Sequence, residues 1–439
     1  MSVISIILSI IILSILVIVH EFGHFILAKK NGIFVKEFSV GFGPRIISHV
    51  SKKSGTRFSW KAIPFGGSCQ MLGALEDEDD ETDDEKSFDK KSVWARMSVI
   101  LAGPFFNFFL AFILSVIVIG TAGYDPARVT YVEPGSPIAQ AGIQEGDLII
   151  KYNGERINFG REIYLSGYLH PITSDAKAVP ITYIRNGEKT SVSVVPAQMD
   201  YYSLGFSYYA NDDEAKLAEV VKEGALEQAG IREGDVITAI GDTKIATGKE
   251  LNQYFDRSPV TAAPLTVTFL HHGVEKTAVV YPQAQKAYRL GFSYNLENEK
   301  TGVGGVLKYS FAEMRYQLLS VFKSLGFLIS GKGSLDMLSG PVGIVEVIGT
   351  TYDASVSSGF LATLTNMLSI MILLSANLGV INLLPIPALD GGKFLLLIIE
   401  AIRRKPIPKK YEGIITMVGA VLIMLLAAVV LVNDVIKLF

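Results

Sequence analysis

Four apolar runs constrain this chain before any motif is considered. Val3 to Val19 carries no charge, and the run continues to Ala28 interrupted only by His20, Glu21 and His24. About 20 apolar residues suffice for a helix to cross the ~30 Å hydrocarbon core of a bilayer. A cleaved signal peptide would have a basic start and a shorter apolar core, so the run reads as a retained span. A second run covers Met97 to Gly123 and a fourth Gly413 to Val432. The third, Phe360 to Ile402, has 43 residues. As one helix it would be about 65 Å long, roughly twice the hydrocarbon thickness. It must break, and the breakers stand in NLLPIPALDGG, Asn382 to Gly392.

Basic residues near span ends mark the cytoplasmic side. Lys29, Lys30 and Lys36 follow the first run, and Lys86, Lys90, Lys91 and Arg96 precede the second. Arg403, Arg404, Lys405, Lys409 and Lys410 separate the third from the fourth. Both loops are therefore expected in the cytoplasm, with the termini and the block 124–358 on the other side. Lipid is thus one partner of this chain. A net charge of −3 excludes a generally basic nucleic-acid binder, so no nucleic acid is expected. EDEDDETDDE, Glu76 to Glu85, holds nine acids in ten residues and reads as a solvated loop without chemistry.

The central block repeats itself. GSPIAQAGIQEGDLIIKYNG (Gly135 to Gly154) returns as GALEQAGIREGDVITAIGD (Gly224 to Asp242), an offset of 88 residues for the shared AGI-x-EGD. Two tandem compact units follow. LGFSY also occurs twice, at Leu204 to Tyr208 and Leu290 to Tyr294, with its assignment to either unit open. From Gly305 to Gly349 apolar residues recur at helical spacing among charges too frequent for a span, which predicts an interfacial helix.

The chemistry lies in HEFGH, His20 to His24. On a helix, positions i and i+4 share a face, so both imidazoles reach one ion. Glu21 beside them is placed to take a proton from attacking water. Ionisable groups at membrane depth are costly and usually functional. A catalytic zinc takes three protein ligands and keeps one position open. With Cys69 the single cysteine, the third ligand must be histidine or carboxylate. His49, His170, His271 and His272 all suit loops or turns. Asp390, the one acid between Asp353 and Glu400, sits where the third run must unwind, though it could also simply cap the helix resuming after Gly391.

HEFGH, GPFFNF (Gly103 to Phe108) and NLLPIPALDGG together resemble the site-2 protease family of intramembrane zinc metalloproteases, over essentially the whole chain. The two repeats are similar to the PDZ-like domains of its sigma-E-regulating branch in Gram-negative bacteria. The resemblance implies Zn2+ held by His20, His24 and Asp390, Glu21 as catalytic base, and Asn382, Pro385 and Pro387 binding and unwinding a substrate helix. It implies single-span substrates of the anti-sigma factor type, already trimmed by a first protease, and remnant signal peptides. The location implied is the bacterial inner membrane, with termini and PDZ-like domains periplasmic. Phe38 to Gly67 is similar to the family's membrane-reentrant β-loop, whose edge strand receives substrate, and Ser59 to Ile63 are expected to lie on that edge.

The expected fold is a polytopic α-helical membrane protein of four spans with a reentrant β-loop and two tandem PDZ-like α+β domains. Its parts are a first span (1–28), a cytoplasmic loop (29–96), a second span (97–123), PDZ-like domains (124–203 and 204–295), an interfacial region (296–358), a broken third span (359–402) and a fourth span (411–438). A membrane-anchored PDZ scaffold without proteolysis is the alternative, but a scaffold has no use for Glu21. A metal transporter would need ionisable residues in the second and fourth spans, which are nearly free of them.

Overall fold

The computed structural model describes residues 3–74, 85–208, 214–258, 260–295, 297–331, 333, 339–356 and 358–437. The acidic stretch from Glu76 to Asp84 lies outside the described residues. The chain forms two compact units, one of 1–123, 300–352 and 363–439, the other of 124–299 and 353–362.

The first unit begins with helix α1 (Val3–Lys30), followed by strands β1 (Val35–Val50) and β2 (Arg57–Met71) and helix α2 (Val93–Ala122). Helices α1 and α2 approach backbone to backbone at Gly23, where a Cβ would lie 2.4 Å from the Ala102 carbonyl oxygen. Only glycine permits that approach.

Strands β1 and β2 fold on themselves. Val40 pairs with Gly67 on one side and Trp60 on the other, and Ser59 pairs with both Ser39 and Ser48. The bends fall at Gly41, Gly43 and Gly66, all at positive φ. Arg57 to Trp60 is consequently flanked on both sides, so Ser59 and Trp60 are interior rather than on the expected edge, while Lys61 and Ile63 have one partner each. Gly67 to Gln70 and His49 with its flanks likewise have one neighbour. Alternation alone could not separate these, because centre and edge strands of a small sheet share the same period. The turn after Ile63 reaches α1, where the Ser14 hydroxyl donates to the Pro64 carbonyl at 2.8 Å. Ile46, Ile47, Trp60 and Ile63 are exposed along the sheet.

In the second unit the two repeats share one topology. The first comprises β3 (Val129–Val132), α3 (Pro137–Gln140), β4 (Leu148–Tyr152), β5 (Glu155–Arg156), α4 (Gly160–Leu169), β6 (Val179–Arg185) and β7 (Glu188–Val194). After β8 (Ala197–Ser203) the pattern returns as β9 (Phe206–Tyr208), β10 (Leu217–Val220), α5 (Ala225–Gln228), β11 (Val236–Ile240), β12 (Thr243–Lys244), α6 (Gly248–Arg257), β13 (Leu265–His271) and β14 (Val274–Val280). Then come β15 (Gln283–Arg289) and β16 (Phe292–Tyr294). The sheets run β5-β4-β6-β7 and β12-β11-β13-β14.

Each LGFSY finds its place here. The copy in β9 pairs with β10 of the second repeat, whereas the copy in β16 pairs with β3 of the first. Leu290 is buried with Ile138, Ile149 and Ile181, and Leu204 with Leu226 and Ile237. The division at 203/204 and 295 therefore gives way to a nested one, with the second repeat inserted in the first. Strands β8 and β15, paired throughout, carry the chain in and out.

Where this unit joins the rest, Tyr124 and Glu299 exchange backbone hydrogen bonds of 3.0 and 2.7 Å. Arg128 clasps the Glu299 carboxylate in a fork, Nε at 2.9 Å and Nη2 at 3.0 Å. The guanidinium holds the Glu299 carboxyl below its ordinary range. A carboxyl depressed by folding stabilises the fold above its unfolded value, about 4.3, and loses that contribution as pH falls below it. Both side chains are over a third exposed, so Glu299→Gln is expected to lower stability at pH 7 by under about 1 kcal/mol. Thermal unfolding of the two proteins at pH 7 and pH 3.5 checks this: the difference should shrink at the lower pH.

The chain returns to the first unit with α7 (Val303–Ile329), α8 (Pro341–Val356), α9 (Phe360–Leu383), α10 (Asp390–Arg403) and α11 (Lys409–Lys437). Helix α7 lies beside α2, with Phe311 against Phe112 at 4.6 Å between ring centres. Its buried residues are Ser310, Glu313 and Gln317, while Leu307, Phe311 and Phe322 are exposed. Lys308 and Arg315 are exposed as well, so charged and apolar side chains share the uncovered side of α7. Among the described residues four helices are long and apolar enough to cross a membrane: α1, α2, α9 and α11 from Lys410 to Ile436. The third run is thus a crossing helix, α9, followed by the separate 14-residue α10.

Candidate active site

Helix α1 carries His20 and His24 one turn apart, both buried, with their Nε2 atoms 3.2 Å from each other. Asp390 arrives from the first turn of α10. Its Oδ2 lies 3.0 Å from His20 Nε2 and 3.3 Å from His24 Nε2. The reversal that delivers it depends on two glycines. A Cβ on Gly391 would lie 2.3 Å from the Leu383 and Leu384 carbonyl oxygens, and one on Gly392 2.3 Å from that of Ile386. Ala388 completes the turn at φ 81°, a region costly for a residue with a Cβ. The N-cap of α10 is Leu389, and no side chain caps it, so Asp390 is free of the capping role.

Helix α2 passes behind the pair. A Cβ on Gly103 would lie 2.5 Å from His24 Nε2 and 2.7 Å from His20 Nε2. His24 Nδ1 is 2.8 Å from the Val99 carbonyl oxygen, which can only accept. Nδ1 therefore carries a hydrogen, and Nε2 is the nitrogen directed at the point it shares with Asp390. Asn107, one turn beyond Gly103, places its side-chain nitrogen 3.1 Å from His20 Nδ1.

His20, His24 and Asp390 form the metal-competent cluster found among the described residues. Four tetrahedral ligands about 2.05 Å from a zinc ion stand roughly 3.3 Å apart, and these three donor atoms are spaced accordingly. Asp390 Oδ2 is buried without a hydrogen-bond partner meeting ordinary geometry. Two imidazole nitrogens and a carboxylate oxygen suit zinc, so the residues fit the ion that the sequence implied.

The cluster lines a cavity of about 590 Å³ together with Glu21, Cys69 and Asn382. A hydrogen bond from the Cys69 backbone amide reaches the Glu21 carboxylate. That brings the open edge of β2 alongside Glu21, where a Cβ on Gly67 would lie 3.6 Å from the Glu21 Cγ. Pro385 is exposed and Pro387 is not among the cavity's lining residues. Pro387 instead meets α11 at Gly419, where a Cβ would lie 2.1 Å from its carbonyl oxygen. Arg96 and Glu400 pair at the cavity wall, joining α2 to α10. The sequence reading gave Gly103 and Asn107 no roles. Their signal was the four-residue spacing inside GPFFNF, which puts a gap and an amide on one face of α2.

A two-histidine, one-carboxylate cluster with an adjoining glutamate, in a chain with four membrane-length helices, defines a multi-pass membrane metallopeptidase. The chain belongs to peptidase family M50, the site-2 protease family, whose model matches residues 8–426. Zinc metalloprotease RasP of Bacillus licheniformis is 32% identical, with 99% of each chain covered. The protein of the same name in Geobacillus kaustophilus is 29% identical over 99% of this chain and 98% of its own. A PDZ domain protein from Parabacteroides distasonis aligns with 30% of this chain and 40% of its own at 12% identity, with a TM-score of 0.19, too slight a likeness to assign the repeats a fold.

Proposed function

We propose that the chain is an intramembrane zinc endopeptidase that cuts single-span membrane proteins within or near the bilayer. The carrying observation is the cluster of His20 and His24, on a membrane-length helix, with Asp390 from the start of α10 and Glu21 beside them. In this reading His20, His24 and Asp390 would hold Zn2+, which would supply Lewis-acid chemistry at the site. Glu21 takes the proton from the attacking water and later gives it to the leaving amine.

Cleavage needs an extended substrate, since a helix hides its carbonyls in its own hydrogen bonds. Unwinding in lipid strands amides at several kcal/mol each. The one-sided segment Gly67 to Gln70, lying beside Glu21, can take up those amides as an added strand, and Asn382 can bond the substrate from the cavity wall. The Ser14–Pro64 contact, eleven residues or about 16 Å from the start of α1, supports a β-loop that re-enters the membrane. Pro385 and Pro387, which follow the end of α9, serve in this reading with Asn382 to bind and unwind the substrate helix.

Asp390→Ala is expected to drop zinc content of the purified protein from about one ion per chain to near zero and to abolish cleavage of a model single-span substrate. Metal analysis with full occupancy and activity in that variant would refute the assignment.

Both termini and the central unit belong, in this reading, on the outer face of the cytoplasmic (inner) membrane. The central unit would act as PDZ-like domains that exclude substrates with bulky folded regions, whether an anti-sigma factor before its first cleavage or an uncleaved precursor of a signal-peptide remnant. The adjacency of Tyr124 and Glu299 makes it removable. Deleting 124–299 is expected to admit untrimmed substrates. A deletion that is active on short substrates yet still rejects long ones would put the gate elsewhere.

A further inference from the structure

The GPFFNF segment of α2 holds a buried polar side chain for which the proposed chemistry has no use. Asn107 is fully buried, and its side-chain nitrogen faces His20 Nδ1 at 3.1 Å. Its side-chain oxygen is also buried and has no hydrogen-bond partner among the described residues. The backbone around it is fixed: the buried Ser375 hydroxyl on α9 donates to the Asn107 carbonyl oxygen at 2.8 Å. An unsatisfied amide oxygen this close to a candidate ligand needs a physical reason.

The two histidines supply one. His24 already has its outer nitrogen hydrogen fixed by the Val99 carbonyl, which leaves Nε2 free to bind a cation. His20 Nε2 faces the same point, 3.2 Å from His24 Nε2 and 3.0 Å from Asp390 Oδ2. For Nε2 of His20 to offer a lone pair there, its hydrogen must sit on Nδ1. The group facing Nδ1 must then accept. An amide nitrogen cannot, and nitrogen and oxygen of an asparagine side chain exchange places by a half-turn of nearly identical shape.

We propose that Asn107 is a positioning residue for His20, presenting its side-chain oxygen to the Nδ1 hydrogen and so fixing the tautomer and ring orientation that bind metal. The proposal rests on the zinc-peptidase reading above. It gives the two histidines matched supports, a backbone carbonyl for His24 and a side-chain carbonyl for His20, both from α2. Outer partners of this kind govern metal affinity by about 10–100-fold. It also explains the spacing in α2, where Gly103 leaves room for the imidazoles and Asn107, one turn on, orients one of them.

The test compares zinc affinity of the purified full-length protein with that of Asn107→Leu and Asn107→Asp, by competition with a chromogenic chelator. Leucine removes the acceptor at similar volume, and its affinity should fall about 10–100-fold. Aspartate can only accept, so its affinity should stay within a few-fold of the parent. If wild-type and leucine proteins bind zinc equally, the proposal fails while the zinc reading stands. An aspartate variant as weak as leucine also overturns it, since the hydrogen-bond sense would be wrong. Absence of zinc binding in the wild-type protein overturns both. A second measurement does not depend on the variants folding. In ¹⁵N-histidine-labelled, zinc-loaded wild-type protein, His20 should give a protonated Nδ1 resonance alongside that of His24. An unprotonated His20 Nδ1 contradicts the assignment.

Discussion

Glu21→Gln is expected to keep about one zinc per chain while slowing substrate cleavage by about 10²–10⁴-fold, the usual contribution of a positioned general base. The separation of these effects follows from the geometry. The metal-competent cluster comprises His20, His24 and Asp390, and Glu21 stands outside it in the same cavity. Glutamine keeps the shape and can still accept the Cys69 amide through its carbonyl oxygen, so the wall around the cluster is preserved. It cannot take up a proton at neutral pH. Single-turnover cleavage with metal analysis on the same sample reads both quantities. An unchanged rate would remove Glu21 from the chemistry, and loss of zinc would make it a ligand.

Gly103→Ala is the second large effect expected, through sterics rather than proton transfer. The added methyl would sit 2.5 Å from His24 Nε2 and 2.7 Å from His20 Nε2, far inside contact distance. These nitrogens carry the lone pairs, so the methyl competes for the space of a bound ion. Relief by moving α1 away would also disturb the Gly23–Ala102 crossing on the same pair of helices. Zinc content should fall to a small fraction of one per chain, and cleavage with it. Gly167→Ala provides the contrast. It lies in α4 with nothing within 4 Å of the added Cβ, and alanine there should be tolerated or gain about 0.5–1 kcal/mol. Equal zinc content in the two variants would mean that α2 does not crowd the histidines.

What the sequence made legible follows the range of the forces involved. Apolar runs and the i, i+4 pair of HEFGH are local patterns, and the helices α1, α2, α9 and α11 appear where the runs stand. The break after Leu383 was legible because length alone forbade a single helix. Strand pairing was not. Nothing near Leu290 states that β16 will join β3 about 160 residues earlier, since identical LGFSY letters suit either partner. The interior position of Ser59 likewise depends on how β1 and β2 bend back, a matter of glycine conformations rather than alternation. Helix α7 shows a limit of a different kind. Its periodicity marked a helix, but periodicity cannot say which of its residues pack on protein. Asn107 was visible as a letter, and its partner was set only by the crossing of α1 and α2.

The nested order of the two repeats bears on how such a chain can be taken apart. Ser203 and Gln283 stand opposite each other in the β8–β15 ladder, and antiparallel neighbours have Cα atoms about 4.5–5.5 Å apart. A tight turn can therefore bridge the two positions in place of everything between them. Excision from 204 to 282 spares the β16 strand and the buried Leu290 that the first repeat borrows from far downstream. Excision from 204 to 295, which looks equally natural on paper, takes both away and opens the first repeat's core. The second repeat behaves as a pendant whose entrance and exit coincide, so a lineage could gain or shed it in one event while its host stayed intact.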